Sequence, residues 1–476
     1  MEFDLSKRYC YYFNELSKIP RGSRNEKAAS DWVVQFAKDH GFKYTQDEVW
    51  NVVVDKPASP GYEDKPPIIL QGHLDMVCEK NNDVEHDFEK DPLDLYVDDE
   101  GWLHARGTTL GADDGYGIAY MMAILEDDKL PHPPLSCMFT VMEEVGLLGA
   151  SHMKKEDIHG KRYINLDGGG EVRTMVSSAG VTTILAHCPI EFEENTDPAY
   201  MLEVTGLKGG HSGGAIHKEL GNSNKIAARI LKELQLAGIE LQLVSFRGGM
   251  KFNAIPREAF VCFTSPCSKA AIEEKLAPIA KDIWTELEFS DAGFKAEIKE
   301  AKAEKRITKE RSDAFINYLF LLPNGMFNRS MKIDGLTTSS NNAGVVTTAD
   351  KEITIECLTR AALNSHMALT CEQAQLLGQA FGMDVEIKDH SDGWAYSEIS
   401  PLRDTLRAVL KRRGVELEEL AGHGGLECGT FKGLEPELDI ITYGPIAMGA
   451  HTPDEKLDLA SFDRAYEVLC EVLAEC

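Results

Sequence analysis

Residues 66–77, PPIILQGHLDMV, set the reading of the fold: an apolar run after two prolines ends at Gln71-Gly72 and delivers His73, with Asp75 two positions on. A short, unbroken apolar run of this kind fits a strand buried on both faces, as in parallel sheets. Similar runs recur at NVVVD (51–55), LSCMFTVM (135–142), RYINL (162–166) and LDIITYG (438–444). They alternate with helical spacing of apolar residues over 8–20, 25–40, 115–126 and 402–413. That alternation predicts an α/β layer, a mostly parallel sheet with helices on both faces. Ligands of such sheets sit beyond the carboxyl ends of the strands. His73, Glu143, Glu144 and Asp167 all follow strand ends, and His451 follows its strand after a short loop.

Between 179 and 391 the texture changes. YMLEVTGLKGG reads as a strand, 222–237 as a helix, ELQLVSFRGG and REAFVCFTS as a hairpin, 269–288 as a helix and FKAEIKEAK as a strand. The order βαββαβ is ferredoxin-like. A second round follows, with a helix at 310–321, strands at 343–348 and 351–359, a helix at 366–381 and a strand at MDVEIKD. The expectation is an α+β lid domain of two ferredoxin-like halves, 179–391, inserted into a catalytic domain formed by 1–178 and 392–476.

Composition bounds the function. A chain of 476 residues exceeds what one core usually organises. Fifty Lys and Arg against seventy-eight Asp and Glu give a net charge of -28, which argues against nucleic acid or an anionic membrane as partner. No apolar run approaches 18 residues, and MEFDLSKRYCYYFNEL lacks the basic-then-apolar pattern of an export signal. Eleven scattered cysteines without a CxxC pair point to reduced thiols. The expected location is the cytoplasm.

Two imidazoles and three carboxylates, His73, Asp113, Glu144, Asp167 and His451, form a donor set suited to two divalent cations. A lone histidine after a strand more often hydrogen-bonds within a core, but alternation along the strand puts Asp75 on the same side as His73, where it can fix the ring's tautomer. In LGADDGYG, Asp114 reads as an ordinary helix cap, whereas Asp113 between Gly111 and Gly115 is a candidate bridging carboxylate. Adjacent Glu143 and Glu144 would repel each other unless one binds a cation and the other serves as a base.

The motifs GHLDMV, GADDGYG, MEEVGLLGA, LDGG, GLKGGHSGG, KFNAIP and GAHTPDEK, in this order, make the chain resemble the M20 metallopeptidases, most closely the aminoacyl-histidine dipeptidases. The resemblance implies two zinc ions, or manganese or cobalt, with Asp113 bridging, His73 and Asp167 on one ion, and Glu144 and His451 on the other. It also implies Asp75 as the orienting acid, Glu143 as general base, His211 as an oxyanion donor from the lid, and Asn253 and Arg360 as ligands of the substrate's carboxyl end. HTPDE replaces the commoner HSPDE and keeps the histidine. In HGGLECGTF, charge complementarity suggests Glu427 as a reader of a free amino end, and His423 has no assigned role.

The expected partner is a dipeptide, Xaa-His included, with a homodimer left open. A tripeptidase, an N-acyl amino acid deacylase, a phosphoesterase and a noncatalytic metal or peptide binder are the alternatives. Glu143 speaks against the binder, and the absence of an Arg or Lys clamp at the strand ends against the phosphoesterase.

Overall fold

The computed structural model describes residues 3–476 and divides the chain into two compact units. The first runs to Ser177 and resumes over Trp394–Ala421 and Leu426–Cys476; the second comprises Ser178–Gly393 and Gly422–Gly425. The tetrapeptide Gly422–Gly425, expected with the catalytic part, therefore groups with the second unit. Among the described residues no helix is long and apolar enough to cross a membrane.

The first unit is organised by a six-stranded sheet in the order Lys43–Gln46, Val52–Lys56, Leu135–Thr140, Ile68–His73, Arg162–Asn165, Asp439–Thr442. The last four strands are parallel, while Val52–Lys56 runs antiparallel to Leu135–Thr140 and Lys43–Gln46 antiparallel to Val52–Lys56. Every residue of Ile68–His73 and Leu135–Thr140 is buried, which explains their unbroken apolar texture. Alternation sends Val52, Val54, Ile68, Leu70, Phe139 and Ile441 into one core and Val53, Ile69, Met138, Tyr163 and Ile440 into another. Truncating one of these buried aliphatic side chains to Ala would cost about 2–5 kcal/mol.

Helix Ala112–Glu126 packs on Ile68–His73 and on helix Arg8–Leu16, and is buried all round from Ile118 to Leu125. An apolar helix of this kind belongs in an interior. The opposite face of the sheet carries Phe431 and Cys428 of helix Glu427–Leu434. The strand register aligns His73 with Thr140 and Gln71 with Asn165, so the carboxyl ends share one edge. A small sheet, Ala447–Met448, Lys456–Asp458, Trp102–Ala105, Leu95–Val97, ties the hairpin that carries His451 to the segment leading into Asp113.

The second unit contains a nine-stranded sheet. Its first four strands, in spatial order Lys295–Ala301, Ala199–Thr205, Ala259–Thr264, Gln242–Gly248, together with helices Ser223–Leu236 and Lys269–Leu287, follow the chain order βαββαβ with spatial order 4-1-3-2. The next four, Thr337–Thr348, Glu352–Ala361, Gly180–Pro189, Asp384–Ser391, repeat it in mirror sequence, with helices Lys309–Leu321 and Asn364–Phe381. The first strand of this second set is Gly180–Pro189, which precedes the whole first set in the chain. The first set is thus nested inside the second. Sequence reading missed this strand because its partners lie far downstream, and only the pairing of Gly180 with Ala361 and of Pro189 with Glu352 exposes it.

Candidate metal centre

Three strand ends and one helix start converge. His73 closes its strand, Asp167 lies just past Arg162–Asn165, Glu143 and Glu144 follow Leu135–Thr140, and Asp113 opens Ala112–Glu126. The His73 Nε2 atom stands 3.0 Å from Asp113 Oδ1 and 4.0 Å from Asp167 Oδ2. His451 Nε2 stands 3.4 Å from Asp113 Oδ2 and 2.9 Å from Glu144 Oε1. Asp113 therefore turns one oxygen to each imidazole. His73, Asp113 and Asp167 form one group with ligand-like spacing, and Asp113, Glu144 and His451 form another. Glu143 shares a third group with His73 and Glu144, and its carboxylate accepts no hydrogen bond from the described residues.

The electrostatics fit a place for cations. Burial and the charge of Asp113 raise the Asp167 carboxyl well above its ordinary range, and the same two causes raise Glu144. Burial pushes Glu143 up to about 8, reinforced by Glu427 and Glu144 and opposed by His73. For Asp113 burial is outweighed by hydrogen bonds from His451 and His73, which hold it below the usual carboxylate range. The hydrogen bond to Asp113 lifts His451 to about 9. Glu144 Oε1 is buried, with the His451 ring 2.9 Å away. Crowded acids that retain protons, and imidazoles that gain them, are what cations would displace; the two imidazoles and three carboxylates present fit a pair of divalent ions.

The site rests on a scaffold of buried polar groups. Asp75 Oδ1 accepts from Glu143 N at 3.0 Å and lies 3.4 Å from His73 Nδ1, while Oδ2 accepts from Glu144 N at 3.2 Å and Ser23 Oγ at 2.8 Å. The strand ends at His73, so the turn beyond it, not strand alternation, brings Asp75 beneath the ring. Arg21 donates to the carbonyls of Leu74, Asp75 and Gly111 at 2.9, 2.9 and 2.5 Å. Glu455 accepts from the backbone N–H groups of Leu110, Gly111 and Asp113 at 2.7, 2.8 and 3.2 Å. Gly111 sits at φ 64°, a left-handed conformation that suits glycine. Asp114 caps its helix through Gly117 N and also accepts from His73 N; the Asp113–Asp114 peptide bond is cis.

Arg21 and Glu455 escaped the sequence reading. Glu455 lies inside the quoted GAHTPDEK motif, two residues past Pro453, where an acid reads as solvated. Arg21 in PRGSRNE reads as a loop cation. Only their burial, with Arg21 and Glu455 each 2% exposed, marks them as supports.

Glu427 is buried beside the cluster, with its Oε1 free of any hydrogen-bond partner. It is 2% exposed, and its Oε2 accepts from Gln71 Nε2 at 2.5 Å and Thr140 Oγ1 at 2.9 Å. Burial pushes its carboxyl up to about 7. One carboxylate oxygen is thus held against the ends of two strands, and the other has no hydrogen-bond partner.

The remaining expected residues lie in the second unit. His211, on the two-residue strand Gly210–His211 paired with Ala254–Ile255, is exposed, and its Nδ1 accepts from Gly213 N at 3.3 Å and Gly214 N at 3.1 Å. The ring proton therefore sits on Nε2. Burial and the Arg360 charge lower its pKa. The Asn253 carbonyl accepts from Ser212 N at 2.9 Å. Arg360 is 6% exposed, and its Nε donates to Ser212 Oγ at 3.3 Å. Burial pushes the guanidinium down to about 10, and among the described residues no carboxylate forms an ion pair with it. His423 is buried with Nε2 at 2.8 Å from Ser340 Oγ.

Comparison with known proteins places the chain among relatives. The model of peptidase family M20/M25/M40 matches residues 69–475. The cytosol non-specific dipeptidase of Escherichia coli K12 is 36% identical over 472 residues, 97% of this chain and 96% of the relative. The crystal structure of aminoacylhistidine dipeptidase from Vibrio alginolyticus superposes with a TM-score of 0.92 at 32% identity, covering 98% and 96% of the two chains. Aminopeptidase PepT from Bacillus cereus shares the fold at 16% identity, with a TM-score of 0.56 over 100% and 99% of the chains.

Proposed function

The chain belongs to peptidase family M20/M25/M40, and from that premise we propose that it hydrolyses the peptide bond of short unblocked peptides, chiefly dipeptides, Xaa-His among them. It is a hydrolase of the metallopeptidase class. One observation carries the mechanism: Asp113 offers an oxygen to each of two imidazoles, and each imidazole has a further carboxylate of its own, Asp167 or Glu144.

His73, Asp113 and Asp167 would hold one divalent cation, and Asp113, Glu144 and His451 the second. Zinc is the ion proposed, with manganese and cobalt as the alternatives that such donors accept. Bound there, a cation pair polarises a carbonyl and acidifies water. Glu143, free of hydrogen-bonded partners, takes the proton of the attacking water and returns it to the leaving amine. Asp75 holds His73 and the Glu143–Glu144 turn in register by accepting from both glutamate N–H groups. His211, with its proton on Nε2, is the donor proposed for the developing oxyanion. Arg360, a buried fork without an anion of its own, is proposed with Asn253 to hold the substrate's carboxylate. On this reading the second unit is a lid, and the protein works in the cytoplasm, as the name of its Escherichia coli relative says of that protein.

The test is a substrate panel of Xaa-His dipeptides, other dipeptides, tripeptides and N-acetyl amino acids. Metal-stripped protein is reconstituted with zinc, manganese or cobalt. Hydrolysis of unblocked dipeptides that depends on the added ion is expected. Turnover of the acetylated compounds alone would replace the reading with a deacylase.

A further inference from the structure

A cavity of about 500 Å³ opens beside Glu144, within the first unit. Its walls are the turn Gly22, Ser23 and Asn25, the segment Met76–Cys78 that follows the His73 strand, Phe88 and Glu89 of the next loop, and Val145. This size falls in the range that small-molecule pockets occupy. Its wall groups are mainly apolar: Met76, Val77, Cys78, Phe88 and Val145. Gly22 keeps the cavity open, because a Cβ there would lie 2.7 Å from Cys78 Sγ and press the thiol inward. Of the polar groups, the Ser23 hydroxyl is committed to Asp75 at 2.8 Å. The Glu89 carboxylate, by contrast, is exposed and forms no ion pair among the described residues.

We propose that this cavity receives the amino-terminal residue of the substrate, with its side chain against Val77, Cys78 and Phe88 and its ammonium near Glu89, so that dipeptides beginning with an aliphatic or thioether residue are preferred. The inference rests on the dipeptidase reading. That reading gives the substrate's carboxyl end to Arg360 in the second unit and leaves the amino-terminal residue to the first. Glu144 is both a member of the ligand cluster and part of the cavity wall, so the cavity and the cluster share one residue. An apolar wall rewards each added methylene by about 10- to 200-fold in discrimination at most. A β-alanyl or glycyl residue has no side chain to place there and gains nothing from it.

The experiment measures kcat/KM for Gly-Ala, Ala-Ala, Leu-Ala, Met-Ala and β-alanyl-histidine with the metal-loaded enzyme. The ratio of Leu-Ala to Gly-Ala should be at least about 10 in the wild type. Val77→Trp, which fills the cavity, should lower that ratio at least about 10-fold, and Phe88→Ala, which removes a wall without adding bulk, should lower it as well. Glu89→Gln should weaken unblocked dipeptides through KM. A flat profile across the wild-type series, or variants that leave the ratio unchanged, would overturn the inference while the dipeptidase reading stands. Failure to cleave any unblocked dipeptide would overturn both.

Discussion

The two units carry opposite unsatisfied charge. In the first, Asp113, Asp167, Glu143 and Glu144 crowd around two imidazoles, and burial together with mutual repulsion raises Asp167, Glu143 and Glu144. In the second, the Arg360 guanidinium is buried without an acid, and its charge lowers the neighbouring histidines His211 and His423. A protein that leaves charge uncompensated in its interior loses stability unless something else supplies the partner. The signs differ, so the proposed partners differ: cations for the first unit, an anion for the second. A dipeptide at a metal pair has both needs in one reaction, a carbonyl to be polarised and a terminal carboxylate to be held.

The sharpest way to break this contrast is at Glu143. Glu143→Ala should lower kcat by about 10²- to 10⁴-fold, the span of general-base catalysis, while metal analysis still finds two ions per chain. Loss of metal together with activity would make Glu143 a ligand and not a base. On the other side, Arg360→Ala should cost about 2–5 kcal/mol in kcat/KM, the range for truncating one partner of a buried charge pair. Carboxyl-amidated dipeptides discriminate: they should be poor substrates for the wild type and no poorer for the variant. Arg360→Lys should not restore the rate, because an ammonium lacks the planar fork. A variant that loses amidated and free dipeptides equally would leave the second unit without its proposed anion.

Much of the first unit was legible because each candidate ligand lies next to a strong local signal. His73 ends a buried apolar run, Glu143 and Glu144 end another, and Asp113 sits between glycines at a helix start. Parallel-sheet geometry then supplies the convergence, since the carboxyl ends of adjacent strands share one edge. The second unit was legible as a succession of elements but not as a topology. Its strand Gly180–Pro189 belongs with partners far down the chain, and no local pattern announces a pairing of that separation. Burial was the other blind spot. Glu427, Arg21 and Glu455 are charged residues in polar-looking segments, and composition assigns such residues to the surface. Each is closed off by backbone groups or strand ends that come from elsewhere in the chain.

Glu455 sharpens the contrast from within the first unit. Its carboxylate accepts three N–H groups from Leu110, Gly111 and Asp113, so it fixes the loop from which Asp113 reaches both imidazoles. Glu455→Gln keeps the shape but replaces one acceptor oxygen with a donor that faces those N–H groups. Supports of this kind cost about 10- to 100-fold in metal affinity when altered. Titration of the metal-stripped variant with zinc should show that weakening, and saturating zinc should restore most of kcat. An unchanged affinity would mean that Asp113 is held well enough by its other neighbours.

The smallest effect separates the units by pH. His423 is pushed down to about 3, first by burial and then by the charges of Arg360 and His217. In the unfolded chain a histidine titrates near about 6.5. Between those values the folded state binds fewer protons than the unfolded state, so stability rises with pH across the window and is lost on acidification. From pH 7 to pH 5 this one group should cost about 2 kcal/mol. His423→Gln can keep the hydrogen bond to Ser340 without a titrating ring, and its denaturation midpoint should fall less than that of the wild type over the same interval. The same measurement with a dipeptide product bound probes Arg360: an anion paired with the guanidinium removes part of the charge that lowers His423, and the wild-type acid sensitivity should shrink toward that of the variant. Equal acid sensitivity in the two proteins would show that His423 is not depressed in the fold, and a wild-type sensitivity unchanged by product would show that the bound anion does not pair with Arg360.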